Sequence, residues 1–219
     1  MGVEIDLLRN YPVSKRNLTD RLIEKSEEVV KTAREFGAEF FDGDRKFGYG
    51  GFQYDPRFWF PVIPSFNDHW NFHNVSSLLD VGCAKGFMLN DIKHFYPHIR
   101  VAGVDISEYA IRNARAPVKS RLVNADAKNL PFPDDSFDIV VAINTIHNLE
   151  EAQCRQALRE IQRVARKFSF VTVDAYKSQE EKRRMMAWNL TAKTIHSTAR
   201  WREIFAEEGY TGDYFWFTP

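Results

Sequence analysis

Cysteine is nearly absent: Cys83 and Cys154 are the only two in 219 residues. They are too few for a disulfide framework and lie at no metal-ligand spacing, so a disulfide-stapled scaffold and a zinc module are both excluded. A reducing cytoplasm fits. Net charge is absent too, since 30 Lys and Arg balance 30 Asp and Glu. No global field draws the chain to nucleic acid or to an anionic membrane, although a local patch is compatible with that balance. No stretch approaches the roughly 20 apolar residues of a membrane span. Residues 1–10 carry Glu4 and Asp6 and no long apolar core, so no signal peptide is expected. Repeats and low-complexity tracts are missing as well, and nothing specifies an oligomeric state.

What is present suffices for one sizeable core, with 44% apolar residues. The expected organisation is an N-terminal extension over residues 1–75, which doubles as a substrate lid, followed by a domain over 76–219. The most informative stretch begins with an apolar run, Leu78, Leu79, Asp80 and Val81. A loop from Gly82 through Cys83, Ala84 and Lys85 to Gly86 follows, and then Phe87, Met88, Leu89 and Ile92 at helical spacing. That pattern predicts a strand, a tight turn and a helix. Glycines let the backbone approach a ligand, and the new helix aims its free N–H groups at negative charge there. A ligand with an anionic group is the expectation.

Before this stretch, residues 20–36 read as one helix capped by Thr19 or Asp20, with Leu22, Ile23, Val29, Val30 and Ala33 on its buried face and Gly37 as its stop. From Phe40 to Phe72 aromatic residues crowd among glycines and prolines with no steady period. They form either a hydrophobic cluster attaching the first helix to the core or a cover over substrate, and the two roles are compatible.

After it, strands and helices alternate. Val101–Val104 is a strand ending at Asp105, and Ser107 caps the next helix. Leu122 and Val123 open a third strand that ends at Ala125 and Asp126. Residues 137–143 are nearly continuously apolar, as in a strand buried on both faces. A helix over about 151–166 places Cys154 on its apolar side, as a small core residue rather than a nucleophile. Residues 168–173 form a fifth strand ending at Asp174. The polar stretch 177–200 reads as a helical excursion before a helix at Trp201 and a last strand at 214–217. The fold class is therefore α/β, a doubly wound, mostly parallel sheet whose ligand lies at the carboxyl ends of the strands. Asp80, Asp105, Asp126, Asn144 with His147, and Asp174 line up at those ends. An acidic residue at Asp105, 25 positions after Asp80, suits the hydroxyls of a ribose. The loop is not the dinucleotide fingerprint, because Ala84 and Phe87 stand where its later glycines belong.

Taken together, Leu78–Gly86, Gly103–Ser107, Asn124–Ala127, Leu130–Phe132 and Ser136–Asp138 resemble the successive motifs of class I S-adenosylmethionine-dependent methyltransferases. The resemblance covers about residues 76–175. It implies a Rossmann-like methyltransferase fold with S-adenosyl-L-methionine as cofactor. Asp80 and the loop Gly82, Cys83, Ala84 and Gly86 would hold the methionyl part, Asp105 the ribose, Asp126 the adenine amino group, and the backbone N–H of Ala127 a ring nitrogen, with Ile106 also in the cofactor site. Asn144 would orient cofactor or substrate. Two departures stand out. Ala84 replaces the middle glycine of the family's loop, and one strand rather than a hairpin follows the Trp201 helix.

Methyl transfer is an in-line displacement, so a base matters only where the nucleophile carries a proton. His147 and Asn144 are the candidate catalytic residues, His147 as base or as a hydrogen-bonding residue of its loop. Tyr49, Tyr54, Arg57 and His196 are the candidates for closing over the acceptor. Balanced charge and an aromatic cover favour a small molecule over a polymer, with nucleic acid an unexpected partner and no metal site; the expected activity is methylation of its oxygen or nitrogen. An RNA-directed methyltransferase using the basic 177–200 stretch and a non-catalytic cofactor-binding protein are the alternatives.

Overall fold

A computed structural model describes residues 2–13, 17–50 and 53–219. Gly51 and Phe52, part of the expected aromatic cover, lie outside the described residues.

The N-terminal region opens with α1 (Leu18–Glu24), α2 (Glu27–Arg34), α3 (Ala38–Asp42) and α4 (Ile63–Trp70). The sheet and its helices follow: β1 (Ser77–Val81), α5 (Phe87–Phe95), β2 (Arg100–Asp105), α6 (Glu108–Arg112), α7 (Ala116–Lys119), β3 (Leu122–Asn124) and β4 (Phe137–Ile143). The chain continues with α8 (Glu151–Val164), β5 (Ala165–Tyr176), α9 (Gln179–Trp188), β6 (His196–Ser197), α10 (Thr198–Glu207) and β7 (Asp213–Phe217). The strand order is β3-β2-β1-β4-β5, with β6 and β7 both on the far edge of β5, and every pairing is parallel. The reversal of direction beside β1 puts the ligand crevice at the tips of β1, β2 and β4.

Alternation along the strands fills both faces. Leu79, Val140, Ala142, Val171 and Val173 meet α8 and α10 through Cys154, Leu158, Ile161, Trp201 and Phe205. Leu78, Ile139, Val141 and Phe170 meet α5 and α4 through Met88, Leu89, Ile92, Phe66 and Trp70. Residues 53–75 thus share a core with the sheet on the other side of the expected boundary at 75/76. Away from the crevice, at the starting edge of the strands, Asp138 accepts from the Ser76 hydroxyl and N–H and from Arg166. Burial pushes its pKa up, but these donors outweigh burial and hold the carboxyl well below its ordinary range.

Several expectations are corrected. The single helix over 20–36 is two, because Ser26 caps α2 through the Val29 N–H. Leu22 and Ile23 face solvent, 56% and 80% exposed, while Arg21 is fully buried. The 177–200 excursion is helical over Gln179–Trp188 and again only from Thr198, where α10 begins, and Leu190, Thr191, Ala192 and Thr194 between them are buried. A short seventh strand, β6, was not foreseen. The single last strand is present, parallel to β5, and its other edge bonds the N-terminal residues: the Ile5 N–H donates to Tyr214 O and the Tyr214 N–H to Val3 O.

Candidate active site

The loop after β1 is lashed to β2 by its backbone. The N–H groups of Gly82 and Cys83 both donate to Val104 O, at 2.7 and 3.0 Å. Gly82 has φ +84°, and a Cβ there would stand 2.1 Å from Thr145 Oγ1, so only glycine fits. Ala84 is also left-handed, φ +48°. That conformation costs a non-glycine residue about 1 kcal/mol, offset by an Ala84 N–H bond of 2.7 Å to Asp105 Oδ2. Alanine in place of the family's glycine is thus held in the left-handed conformation with its N–H satisfied. Cys83 contributes backbone only, its side chain being buried.

Two carboxylates face the crevice beside this loop. Asp105 accepts one N–H on each oxygen, from Ala84 and from Ser107. A carboxylate has about four lone-pair sites, which leaves one per oxygen for a pair of neighbouring hydroxyls. Burial raises its pKa, and the two N–H bonds pull against that. Asp80 is 6% exposed and has no hydrogen-bond or ion-pair partner among the described residues. Burial, and then the charge of Asp105, push its pKa up to about 8. A buried carboxyl without a partner is costly, and a cation beside it removes that cost. This is the strongest ligand-directed feature of the crevice.

Lys85 does not supply that cation, because its ammonium is 2.6 Å from Asp42 Oδ1, at the end of α3. Tyr109 also donates to Asp42, and the Ser107 hydroxyl to Phe36 O. These contacts fasten residues 36–42 to the β1 and β2 side of the crevice. Fastenings on the β5 side involve the chain after α9. Arg21 donates to Trp188 O, Lys46 O and Gly48 O, and the Tyr49 hydroxyl accepts from the Leu190 and Thr191 N–H groups. Arg34 donates to Ala192 O. Residues 17–50 are thus a roof anchored on both sides of the strand tips. Phe40, Phe41 and Leu190 are its apolar lining, with Ala84 and Tyr49 packed against them. Arg21, Asp42 and Lys85 were not foreseen in these roles; Lys85, a charge inside a glycine loop, was the one visible signal.

The remaining predicted residues are distributed unevenly. Ile106, 58% exposed, stands at the tip of β2. Asp126, past the end of β3, accepts from the Lys128 N–H and pairs with its ammonium at 3.2 Å, and Ala127 beside it is partly buried. Asn144 is exposed at the tip of β4, with φ +52°, its side-chain oxygen accepting from Thr172. His147 lies inside the wall rather than at the mouth: it is 3% exposed, and its Nδ1 accepts from the Asp174 N–H at 3.0 Å. The proton is then on Nε2, which faces Asp174 Oδ1 at 3.6 Å. Burial lowers the His147 pKa, with Asp174 opposing. Neither ring nitrogen is presented to the crevice as a base requires.

Of the expected acceptor-closing residues, Tyr49 is in the roof. Tyr54 is turned to α5, donating to Asp91 under the Arg115 guanidinium. Arg57 is exposed and pairs with Asp55 in its own turn, and Phe60 nearby stacks on His94 in the last turn of α5, far from the strand tips. His196 pairs with Glu151 at the start of α8. These three are not brought together over the crevice. No cluster able to hold a metal ion exists among the described residues, and no helix there is long and apolar enough to cross a membrane.

The family described as "Methyltransferase domain" matches residues 79–172, the span from β1 into β5. Residues 79–172 are a methyltransferase domain of the class I S-adenosylmethionine-dependent type. It is 33% identical over 91 residues to a malonyl-acyl-carrier-protein O-methyltransferase of Legionella pneumophila, covering 40% of this chain and 31% of that one. It is 29% identical over 143 residues to a phosphatidylethanolamine N-methyltransferase of Cereibacter sphaeroides, covering 62% and 68%. The chain thus spans about a third of the first relative's length. A methyltransferase of Archaeoglobus fulgidus shares the fold, with a TM-score of 0.53 at 20% identity, over 78% of this chain and 72% of that one. The methyltransferase cofactor, S-adenosylmethionine, fits the residues present. Its ammonium and sulfonium are the cations that the unpartnered Asp80 calls for, and its ribose has the two hydroxyls Asp105 can accept.

Proposed function

We propose that this methyltransferase acts on an oxygen or nitrogen of a small-molecule acceptor held between the strand tips and the roof. The bound cofactor supplies a methyl group on a sulfonium, open to in-line displacement. Asp80 and the N–H groups of the 82–86 loop hold the methionyl end, and Asp105 takes the ribose. Ile106, Ala127 and Asp126 flank the adenine. Asn144 stands at the mouth, where its exposed amide orients cofactor or acceptor. His147 acts as a positioning residue: its carbonyl accepts the Lys193 and Thr194 N–H groups, and its ring holds the end of β5.

The observation that carries this reading is the roof. It is fixed by hydrogen bonds on both sides of the strand tips, so an acceptor would lie beneath Tyr49, Phe40 and Leu190, and a polymer would have to displace α3. Water exclusion beneath such a cover suits the transfer. The test incubates the protein with methyl-labelled S-adenosylmethionine and, separately, a small-metabolite extract and total RNA. Label in a metabolite, diminished by Tyr49→Ala, supports the proposal. Label in RNA alone overturns it.

A further inference from the structure

Helix α1 is inside out. It buries Arg21 completely and exposes Leu22 and Ile23, the reverse of the usual partition. The reason for the inward face is clear: Arg21 satisfies three carbonyls of the roof and of α9. Nothing among the described residues covers the outward face, where Leu22 and Ile23 are 56% and 80% exposed.

On that face the exposed Leu22 adjoins Met186, 52% exposed, along a groove of about 830 Å³ between α1, α2 and α9. Lys25, Lys31, Arg34 and Lys193 line the groove against two carboxylates, Glu27 and Glu35. An adjoining hollow, again containing Leu22 and Met186, adds Lys182 and Arg183. Among the described residues, Lys25, Lys31, Arg34, Lys182 and Arg183 make no ion pair; Lys25 and Arg34 reach only carbonyl oxygens, those of Met186 and Ala192. Burial, then Arg21 and Arg34, lower the Lys25 pKa, as a concentration of like charge does. Lys193 pairs with Glu150, which leaves five cations without an ion pair to two lining carboxylates around solvated aliphatic side chains, a local asymmetry in a chain whose charges cancel overall. Aliphatic tips ringed by Lys and Arg are the chemistry that enters a headgroup layer and neutralises lipid phosphates.

We propose that the outer side of the roof, around Leu22, Ile23 and Met186, docks on an anionic lipid bilayer. The aliphatic tips enter the interface and the surrounding cations meet the phosphates. The crevice beneath the roof then lies close to the membrane surface, with α1 contacting lipid on its outer side and the 46–48 turn and the end of α9 on its inner side.

The test is flotation of the full chain with phosphatidylcholine vesicles and with vesicles of phosphatidylcholine and phosphatidylglycerol in equal parts, at low and at high salt. The expected result is retention on the anionic vesicles alone, lost at high salt. Lys31→Ala should weaken it about fivefold, the effect of one interfacial cation, and Ile23→Asp by more. Both positions are exposed, so far-UV circular dichroism and the melting temperature should match the unsubstituted chain. Absence of retention on anionic vesicles, or equal retention of both variants, overturns the proposal. Binding of dodecyl phosphate monomers without vesicle retention would instead assign the groove to a soluble anionic amphiphile, and salt-sensitive RNA binding without vesicle retention would assign the cations to a polymer; either also overturns it.

Discussion

The Lys85 ammonium lies 2.6 and 2.7 Å from the two carboxylate oxygens of Asp42, joining the glycine loop to the last residue of α3. Cofactor loop and roof are therefore mechanically one unit at this point. Lys85→Met keeps the apolar stem and removes the charge. It should speed release of bound S-adenosylhomocysteine and cost about 1.5–3 kcal/mol of stability, the range for a hydrogen bond to a charged group. Limited trypsin digestion supplies the structural check: cleavage within residues 17–50 should accelerate, and an unchanged digestion rate would show that the pair does not hold the roof.

Asp80 predicts a pH dependence of binding. With its pKa raised to about 8 by burial and by Asp105, the carboxyl is largely protonated at neutral pH until a cation arrives, and binding then releases a proton. Affinity for S-adenosylmethionine should rise with pH and level off above about 8. The folded-state value lies above the ordinary value of 3.8, so the sign for stability is the opposite one: the contribution is full below that value and is lost as pH rises through about 8. Asp80→Asn, neutral at every pH, should raise the melting temperature above pH 8 and weaken cofactor binding more than tenfold. Titration calorimetry in buffers of different ionisation enthalpy reads the proton directly.

A base at His147 would put a step in the rate profile, whereas a positioning residue puts one in the stability profile. Burial depresses its folded pKa below 6.5, so its contribution is present above 6.5 and is lost as pH falls through the folded value. The melting temperature should drop on acidification from pH 6.5, and His147→Gln should flatten that drop while leaving the shape of the pH–rate curve unchanged. Loss of an ionisation from the rate curve would restore the base.

Arg21→Leu leaves the carbonyls of Trp188, Lys46 and Gly48 without their donor. At about 1 kcal/mol each, the expected loss is about 3 kcal/mol in a urea titration. Faster hydrogen exchange should be confined to α1, the 45–50 turn and the end of α9. A variant as stable as the unsubstituted chain would mean that the guanidinium is not a fastening.

The strand tips were legible in the sequence because everything that makes them is local. An apolar run, a glycine turn and an acidic residue at the end of each strand are adjacent in the chain, so Asp80, Gly82, Gly86 and Asp105 fall where the motif spacing places them. The roof was not legible, because its fastenings span up to 167 residues, as from Arg21 to Trp188. Helical periodicity sends Leu22 and Ile23 inward. It fails there because three carbonyls from elsewhere in the chain make the buried face of α1 polar. The break between α1 and α2 did have a local signal in Ser26 followed by two glutamates, the composition of a helix start. His147 was misplaced for a related reason: its position after β4 is visible in the sequence, but the Asp174 N–H that takes its Nδ1 is not.

The most direct measurement is titration of the full chain with S-adenosylhomocysteine, alongside Asp105→Ala. One site should fill in the unsubstituted chain, with affinity reduced at least tenfold in the variant. A well-folded chain that gives no binding signal, or a variant that binds as well as its parent, would contradict a cofactor gripped by the tips of β1 and β2.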